Sequence, residues 1–194
     1  MKCLLVIAHP RSGSLNATLA EAAAKALRDN GHDVVVRDLY GQGFAPALTA
    51  SDLTSFQAFE TPQDVSGEIA ELLAAEILVL VFPTWWFAMP AMLKGWFDRV
   101  WAPGVAFDPL DNGALRPRLT GLKTCVAITT LGSPWWVDRL VLRRPVRAVL
   151  KNAILAVCAP QARLSFLSFY KSEKLAPEQV DAMRQRVATA LRHV

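Results

Sequence analysis

The sequence predicts an α/β protein, a doubly wound five-stranded parallel sheet with helices on both faces. Three observations carry this. Five short, nearly continuous apolar runs recur along the chain, as strands covered on both faces require. Segments of helical character separate them, so successive strands are joined by crossovers, which are right-handed. The 194 residues, 53% hydrophobic and 20% charged, fit one domain (1–194) with a full core.

The elements follow in order. Lys2 to Ala8 is a buried strand bounded by Pro10. Asn16 to Arg28, rich in Ala and Leu, is a helix that Asn30-Gly31 stops. Asp33 to Asp38 is the second strand. A polar, Gly- and Pro-containing stretch runs from Tyr40 to about Pro62, with a short helix after Thr49. Val65 to Ala75 is helical and Ile77 to Phe82 is the third strand. Pro90 to Trp101 is a helix with proline at its start. Pro103 to Gly121, with three prolines and three glycines, reads as a long functional loop. Thr124 to Thr130 is the fourth strand, and Asp138 to Val157 is mostly helical with a boundary at Pro145. Ala162 to Phe169 is the fifth strand, and Pro177 to Arg192 a terminal helix.

Bulk properties exclude several classes. No apolar run is long enough to span a membrane, and the first strand is too short and abrupt for a signal peptide, so the expected location is cytoplasmic. Cys3, Cys125 and Cys158 lie far apart in apolar surroundings, with neither disulfide nor metal-ligand spacing; no metal site is expected. A net charge of +4 is too small to imply nucleic acid. His32 and His193 read as a surface turn residue and a tail residue.

In a doubly wound sheet, ligands bind at the carboxyl ends of the strands where the strand order switches. That rule selects the loops after Ala8, Phe82 and Thr130. The first, His9-Pro10-Arg11-Ser12-Gly13-Ser14-Leu15-Asn16, runs straight into a helix, whose unpaired N–H groups and positive dipole end favour an anion. Ser14 also fits a plain N-cap role. Neither GxGxxG nor GxxxxGK[ST] occurs, which disfavours a Rossmann dinucleotide site and an NTPase.

The second loop, Pro83-Thr84-Trp85-Trp86-Phe87-Ala88-Met89-Pro90, holds three consecutive aromatics between prolines. Three in a row cannot all face inward. An aromatic wall at a switch point suits a planar ring system, and backbone N–H groups there can bond its polar edge; a hydrophobic plug or an oligomer interface is the structural alternative. Apolar residues lie around much of the following helix, Ala91 to Trp101, which predicts packing against a partner chain as well as the sheet.

The run from Phe82 through Trp85-Trp86-Phe87 to Lys94-Gly95-Trp96-Phe97-Asp98-Arg99-Val100 closely resembles the signature of the NAD(P)H:quinone oxidoreductase (DT-diaphorase-like) family of the flavodoxin-like superfamily. The HP-x-x-x-S-x-N start and Thr129-Thr130-Leu131-Gly132-Ser133 resemble that family's other flavin-contacting loops, in the same order along nearly the whole chain. The resemblance implies a flavodoxin-like fold, a bound flavin (FAD or FMN), NAD(P)H as electron donor and a homodimer. It also implies ping-pong hydride transfer through flavin N5 to quinones or similar acceptors. By this similarity His9, Ser14, Leu15 and Asn16 hold the flavin phosphate. Pro83, Thr84, Trp85, Trp86 and Phe87 border the isoalloxazine, and Thr129, Thr130, Leu131 and Gly132 line its pyrimidine side. The residue carrying catalysis is unassigned; the backbones of Trp86, Phe87 and Gly132 are the candidate contacts.

Two positions depart from the family pattern. Leu131 stands where the family has a glycine close to the ring. The Tyr and His that mammalian members place soon after this loop are missing, since Ser133 leads into Pro134-Trp135-Trp136-Val137 and no Tyr or His follows before Tyr170. Arg139, Arg143, Arg144, Arg147 and Lys151 crowd the next segment, as a solvated helix face or as partners for the 2′-phosphate of NADPH. Related readings are an azo- or nitro-reductase and a regulatory flavoprotein subunit bound to a membrane transporter. An electron-carrier flavodoxin fits poorly with a pI of about 9.2.

Overall fold

The computed structural model describes residues 1–192 and 194; the tail reading of His193 lies outside them. The five predicted strands form one parallel sheet in the order β2-β1-β3-β6-β7: β1 (Lys2–Ile7), β2 (Asp33–Asp38), β3 (Ile77–Pro83), β6 (Thr124–Thr130) and β7 (Arg163–Phe169). Strand periodicity then splits the apolar runs between two cores. Leu4, Val6, Leu78, Leu80, Phe82 and Ala127 face α3 (Ser66–Ala74), α4 (Ala91–Val100) and the helical segment before β7. Leu5, Ile7, Val79, Val81, Val126 and Ile128 face α1 (Leu15–Asp29) and α7 (Pro177–Leu191). The two central strands β3 and β6 are buried along their whole length, which is why their sequences do not alternate.

β2 is an edge strand, pairing only with β1, and Val35 and Val36 are exposed. Its Arg37 is strapped to Glu71 of α3 by an ion pair. α1 ends as its sequence suggests: Asn30 caps it and Gly31 takes the left-handed conformation (φ 79°) that ends a helix cleanly.

The stretch after β2 carries α2 (Ala50–Gln57), started by a reciprocal Thr49–Asp52 capping box. Arg99 of α4 holds this excursion against the body of the protein. Both Arg99 and Asp52 are buried, and Arg99 donates to Asp52 (Nη2–Oδ1 2.9 Å), to Asp64 (2.8 Å) and to the Ala45 carbonyl (3.0 Å). The paired guanidinium pulls the Asp52 carboxyl down to about 2. Gly95 of α4 admits the same excursion, because a Cβ there would lie 2.1 Å from the Pro46 carbonyl oxygen.

Several expectations are corrected. The apolar side chains of α4 are not left over for a partner: Leu93, Trp96, Phe97 and Val100 are buried inside the chain, and Trp101 after them too. The loop from 103 to 121 has structure of its own, a short antiparallel hairpin of β4 (Phe107–Pro109) and β5 (Leu115–Pro117). Asp108 in that hairpin is held by Arg116 (2.7 Å) and Arg118 (3.2 Å). The expected boundary at Pro145 is present, but the stretch before it is a π-type turn rather than a regular helix. A wide π-type turn, Val137–Val141, is followed by a break at Arg143 and Arg144, both left-handed (φ 56° and 57°). The chain then resumes as α5 (Pro145–Ala148), a π-type segment and α6 (Ala156–Cys158). His32 is half-buried, its Nε2 3.1 Å from the Val194 carbonyl oxygen.

Candidate functional site

The strand order reverses between β1 and β3, since the chain leaves β1 to add β2 on one side and places β3, β6 and β7 on the other. The loops after β1, β3 and β6 therefore emerge side by side at one edge. Hydrogen bonds lace them together. Ala8 N–H donates to the Val81 carbonyl (3.0 Å) and Thr84 N–H to the Thr130 carbonyl (2.8 Å). The Thr84 and Thr129 hydroxyls are bonded to each other, and the Thr130 hydroxyl donates to Asn16 Oδ1 (3.0 Å). Asn16, Thr84, Thr129 and Thr130 thus belong to one network.

At the start of α1, His9 Nδ1 accepts the Arg11 N–H (3.0 Å), which folds the loop back on itself. Ser14 caps the helix, its Oγ accepting the Ala17 N–H (3.2 Å). Among the described residues the N–H groups of Leu15 and Asn16 have no acceptor, as expected of a first helical turn. Asn16 is 2% exposed and its Nδ2 has no partner either. A buried amide left half satisfied costs about 1–3 kcal/mol, so the edge keeps donors in reserve for an acceptor the protein does not supply.

The aromatic loop is a tight turn. Trp85 and Ala88 exchange both backbone hydrogen bonds (3.2 and 2.9 Å), and the central residues Trp86 and Phe87 are both left-handed (φ 51° and 55°). This is the pattern of a type I′ turn, usually made by Asn-Gly, and two bulky aromatics there store backbone strain. The Trp86 and Phe87 N–H groups have no acceptor among the described residues. Successive free N–H groups of this kind form a small anion- or carbonyl-binding concavity. Trp86 is 98% exposed, Trp85 is 44% exposed and lies 6.1 Å, centroid to centroid, from the His9 ring, while Phe87 is half-buried.

In the third loop Leu131 raises no conflict with the glycine pattern it departs from. Its φ is not left-handed, its side chain is 4% exposed, and its N–H donates to the Phe169 carbonyl (2.8 Å). Gly132 is exposed, with the Glu173 carboxylate 2.7 Å from where a Cβ would stand. Ser133 keeps a buried hydroxyl without a partner.

Tyr170 also reaches this edge, a placement the sequence separation conceals. It follows β7, whose Phe169 lies opposite Thr130. Its hydroxyl donates to Asp138 Oδ2 (2.7 Å) and accepts from Arg139 Nε (3.3 Å), with the guanidinium 5.6 Å from the ring centroid. Strand pairing, which no local pattern reveals, brings Tyr170 next to the loop where a Tyr was missed.

Fold and site together define a flavodoxin-like α/β protein with unpaired donors at the switch point, Asn16 Nδ2 and the first N–H groups of α1 among them. A family model described as flavodoxin-like fold matches residues 1–191, and the chain belongs to that family. It is 30% identical to the ribosyldihydronicotinamide dehydrogenase [quinone] of Pongo abelii, over 97% of this chain and 91% of that protein. It is 34% identical to NAD(P)H dehydrogenase [quinone] 1 of Rattus norvegicus over 68% of this chain, a match spanning 54% of the rat protein's length. Among solved structures, the NAD(P)H:quinone oxidoreductase from Methanothermobacter marburgensis superposes with a TM-score of 0.86 at 25% identity, covering 100% of this chain and 96% of that one.

Proposed function

We propose that the chain is a flavoprotein oxidoreductase that reduces quinones or similar acceptors by two electrons at the expense of NAD(P)H. The observation that carries this reading is the convergence of unpaired donors at the switch point: Asn16 Nδ2, the first N–H groups of α1, and the paired N–H groups of Trp86 and Phe87. They fit a ligand with a phosphate at one end and a flat ring with a polar edge at the other. The three relatives named above, each a quinone-linked dehydrogenase or oxidoreductase by name, support the same class.

The residues present fit a flavin. His9, Ser14, Leu15 and Asn16 would hold its phosphate at the positive end of α1. Pro83, Thr84, Trp85, Trp86 and Phe87 would border the ring, with the Trp86 and Phe87 N–H groups on its polar edge. Thr129, Thr130, Leu131 and Gly132 would line the other rim. When bound, a flavin supplies reversible two-electron hydride chemistry that no side chain here can perform.

The chain's own part is positioning. The aromatic turn would flank one side of the bound ring, and its preset N–H groups would stabilise negative charge without reorganising. Tyr170, polarised between Asp138 and Arg139, holds a proton at its hydroxyl beside the third loop. In balance, NAD(P)H, a proton and a quinone give NAD(P)+ and the hydroquinone, donor and acceptor using the same open face in turn. A homodimer belongs to this reading: Trp86, with Leu53 and Phe59 on the excursion after β2, offers exposed apolar surface to a second copy.

An absorption spectrum of the purified protein tests the proposal. A bound flavin chromophore that bleaches on anaerobic addition of NAD(P)H and recovers with a quinone is the expected result. A protein that stays colourless after incubation with FAD and with FMN overturns it.

A further inference from the structure

Residues 135–151 hold five cations, Arg139, Arg143, Arg144, Arg147 and Lys151, and one carboxylate, Asp138. The formal charge of the whole chain is +4, so this one segment accounts for all of it and the rest is balanced. None of the five cations pairs with a carboxylate among the described residues. Asp138 is buried and engaged by Tyr170, so it does little to offset them at the surface.

The same segment exposes its apolar residues in a row. Leu140, Val141 and Leu142 are 66%, 60% and 40% exposed, and Trp135 and Trp136 before them about half. Isolated exposed aliphatics are ordinary; three consecutive ones after two tryptophans are not. Backbone geometry holds them out. Asp138 anchors both ends of the loop, its side chain bonded to Tyr170 and its carbonyl accepting the Arg144 N–H at 2.7 Å. The wide turn and the two left-handed arginines leave Leu140 to Leu142 as a tip flanked by Arg139, Arg143 and Arg144.

We infer that this tip docks the protein on an anionic phospholipid bilayer, lying in the interface without crossing it. Aliphatic tip, adjoining tryptophans and flanking arginines match the apolar, amphipathic and electrostatic layers of such a surface. Charge decides against a second copy of the chain as occupant, because isologous pairing would set these cations against one another. It also decides against a purely polyanionic partner, which would leave five large apolar side chains uncovered. The surface stands whether or not a flavin binds. It adjoins the loop after β6, so it would bring the proposed site to the layer where apolar quinones dissolve, a consequence that alone rests on the redox reading.

Co-sedimentation with vesicles tests the docking surface directly, with flavin content measured separately. The protein is expected to bind phosphatidylcholine vesicles containing about one-third phosphatidylglycerol and to ignore pure phosphatidylcholine, with binding that weakens as salt rises. Arg143→Gln with Arg144→Gln should lower the partition coefficient about thirtyfold, at roughly fivefold per surface cation. Leu140→Ser with Val141→Ser, which touches no core residue, should also reduce it. Equal binding to both vesicle types, or anionic binding indifferent to the arginine pair, overturns the inference. So does binding indifferent to the serine pair and abolished by polyphosphate, which would mark a polyanion site. Wild-type dimers that the serine pair converts to monomers would assign the tip to self-association instead.

Discussion

Thr130 and Asn16, 114 positions apart, meet in a buried hydrogen bond of 3.0 Å that joins the end of β6 to the first turn of α1. The bond uses one side of the Asn16 amide and leaves the other unpaired. Whichever way round that amide is set, one polar atom stays buried without a partner.

Replacing Asn16 by Leu therefore affects both binding and stability. On the proposed flavin reading, the variant should lose a charge-assisted contact worth about 1.5–3 kcal/mol to the ligand phosphate and bind flavin roughly ten- to a hundredfold more weakly. Fluorescence titration with FMN and FAD reads this loss. The ligand-free protein loses the acceptor of the buried Thr130 hydroxyl, at a cost of about 1–3 kcal/mol, offset in part by removal of the unsatisfied amide.

The aromatic turn stores strain that a conventional hairpin turn would release. Changing Trp86→Asn together with Phe87→Gly gives the residues a type I′ turn prefers, and should raise the unfolding free energy by about 1 kcal/mol or more. Urea denaturation of the ligand-free protein measures it. On the proposed flavin reading, the same double substitution would remove the aromatic border of the ring and should abolish quinone reductase turnover.

Arg99 and Asp52 give the protein an acid limb. Because Arg99 holds the Asp52 carboxyl at about 2, below its ordinary value of 3.8, the pair stabilises the folded state fully above about pH 4. That contribution, about 2 kcal/mol, is lost as pH falls through about 2. Asp52→Asn should flatten this part of the stability–pH curve. Arg99→Met leaves Asp52 buried and unpaired, and should cost about 3–5 kcal/mol at neutral pH. Thermal unfolding across the acid range checks both.

Leu131 and Gly132 should behave oppositely to what their neighbourhood in sequence suggests. Leu131→Gly empties a buried site and should destabilise the protein by about 3 kcal/mol or more. Gly132→Ala meets only the mobile end of Glu173, so the ligand-free protein should lose less than about 1 kcal/mol. Differential scanning fluorimetry ranks the two.

Much of this was legible because apolar runs and helix stops are local signals. All five sheet strands fall within about a residue of their predicted bounds, a result helped by the whole-length burial of β3 and β6. The three loops at the switch point were legible for the same reason, since strand order follows from alternation and handedness. What stayed hidden depends on distant partners. The β4–β5 hairpin exists because three-residue strands find each other across Asn112-Gly113, and nothing in Phe107–Pro109 alone marks a strand. The boundary at Pro145 was legible, since that residue opens α5, but the left-handed backbone of Arg143 and Arg144 just before it was not, because arginine rarely adopts that conformation. The apolar girth of α4 suggested a partner chain, whereas the excursion held by Arg99 and the chain's own core cover it. Tyr170 joined the site only through the pairing of β6 with β7.

The free outer margin of β2 sets how the protein tolerates crowding. Val34, Val35 and Val36 form a β-branched run on an edge strand whose outer backbone groups no other strand satisfies. Such a margin is a template for another molecule's strand, and proteins blunt it with charge. Here Asp33, Arg37 and Asp38 bracket the valines, and Arg37 is fastened to Glu71. Resistance to fibril-like stacking at high concentration therefore rests on a handful of ionised groups, and storage in strong salt, which screens them, erodes it while the folded core stays intact.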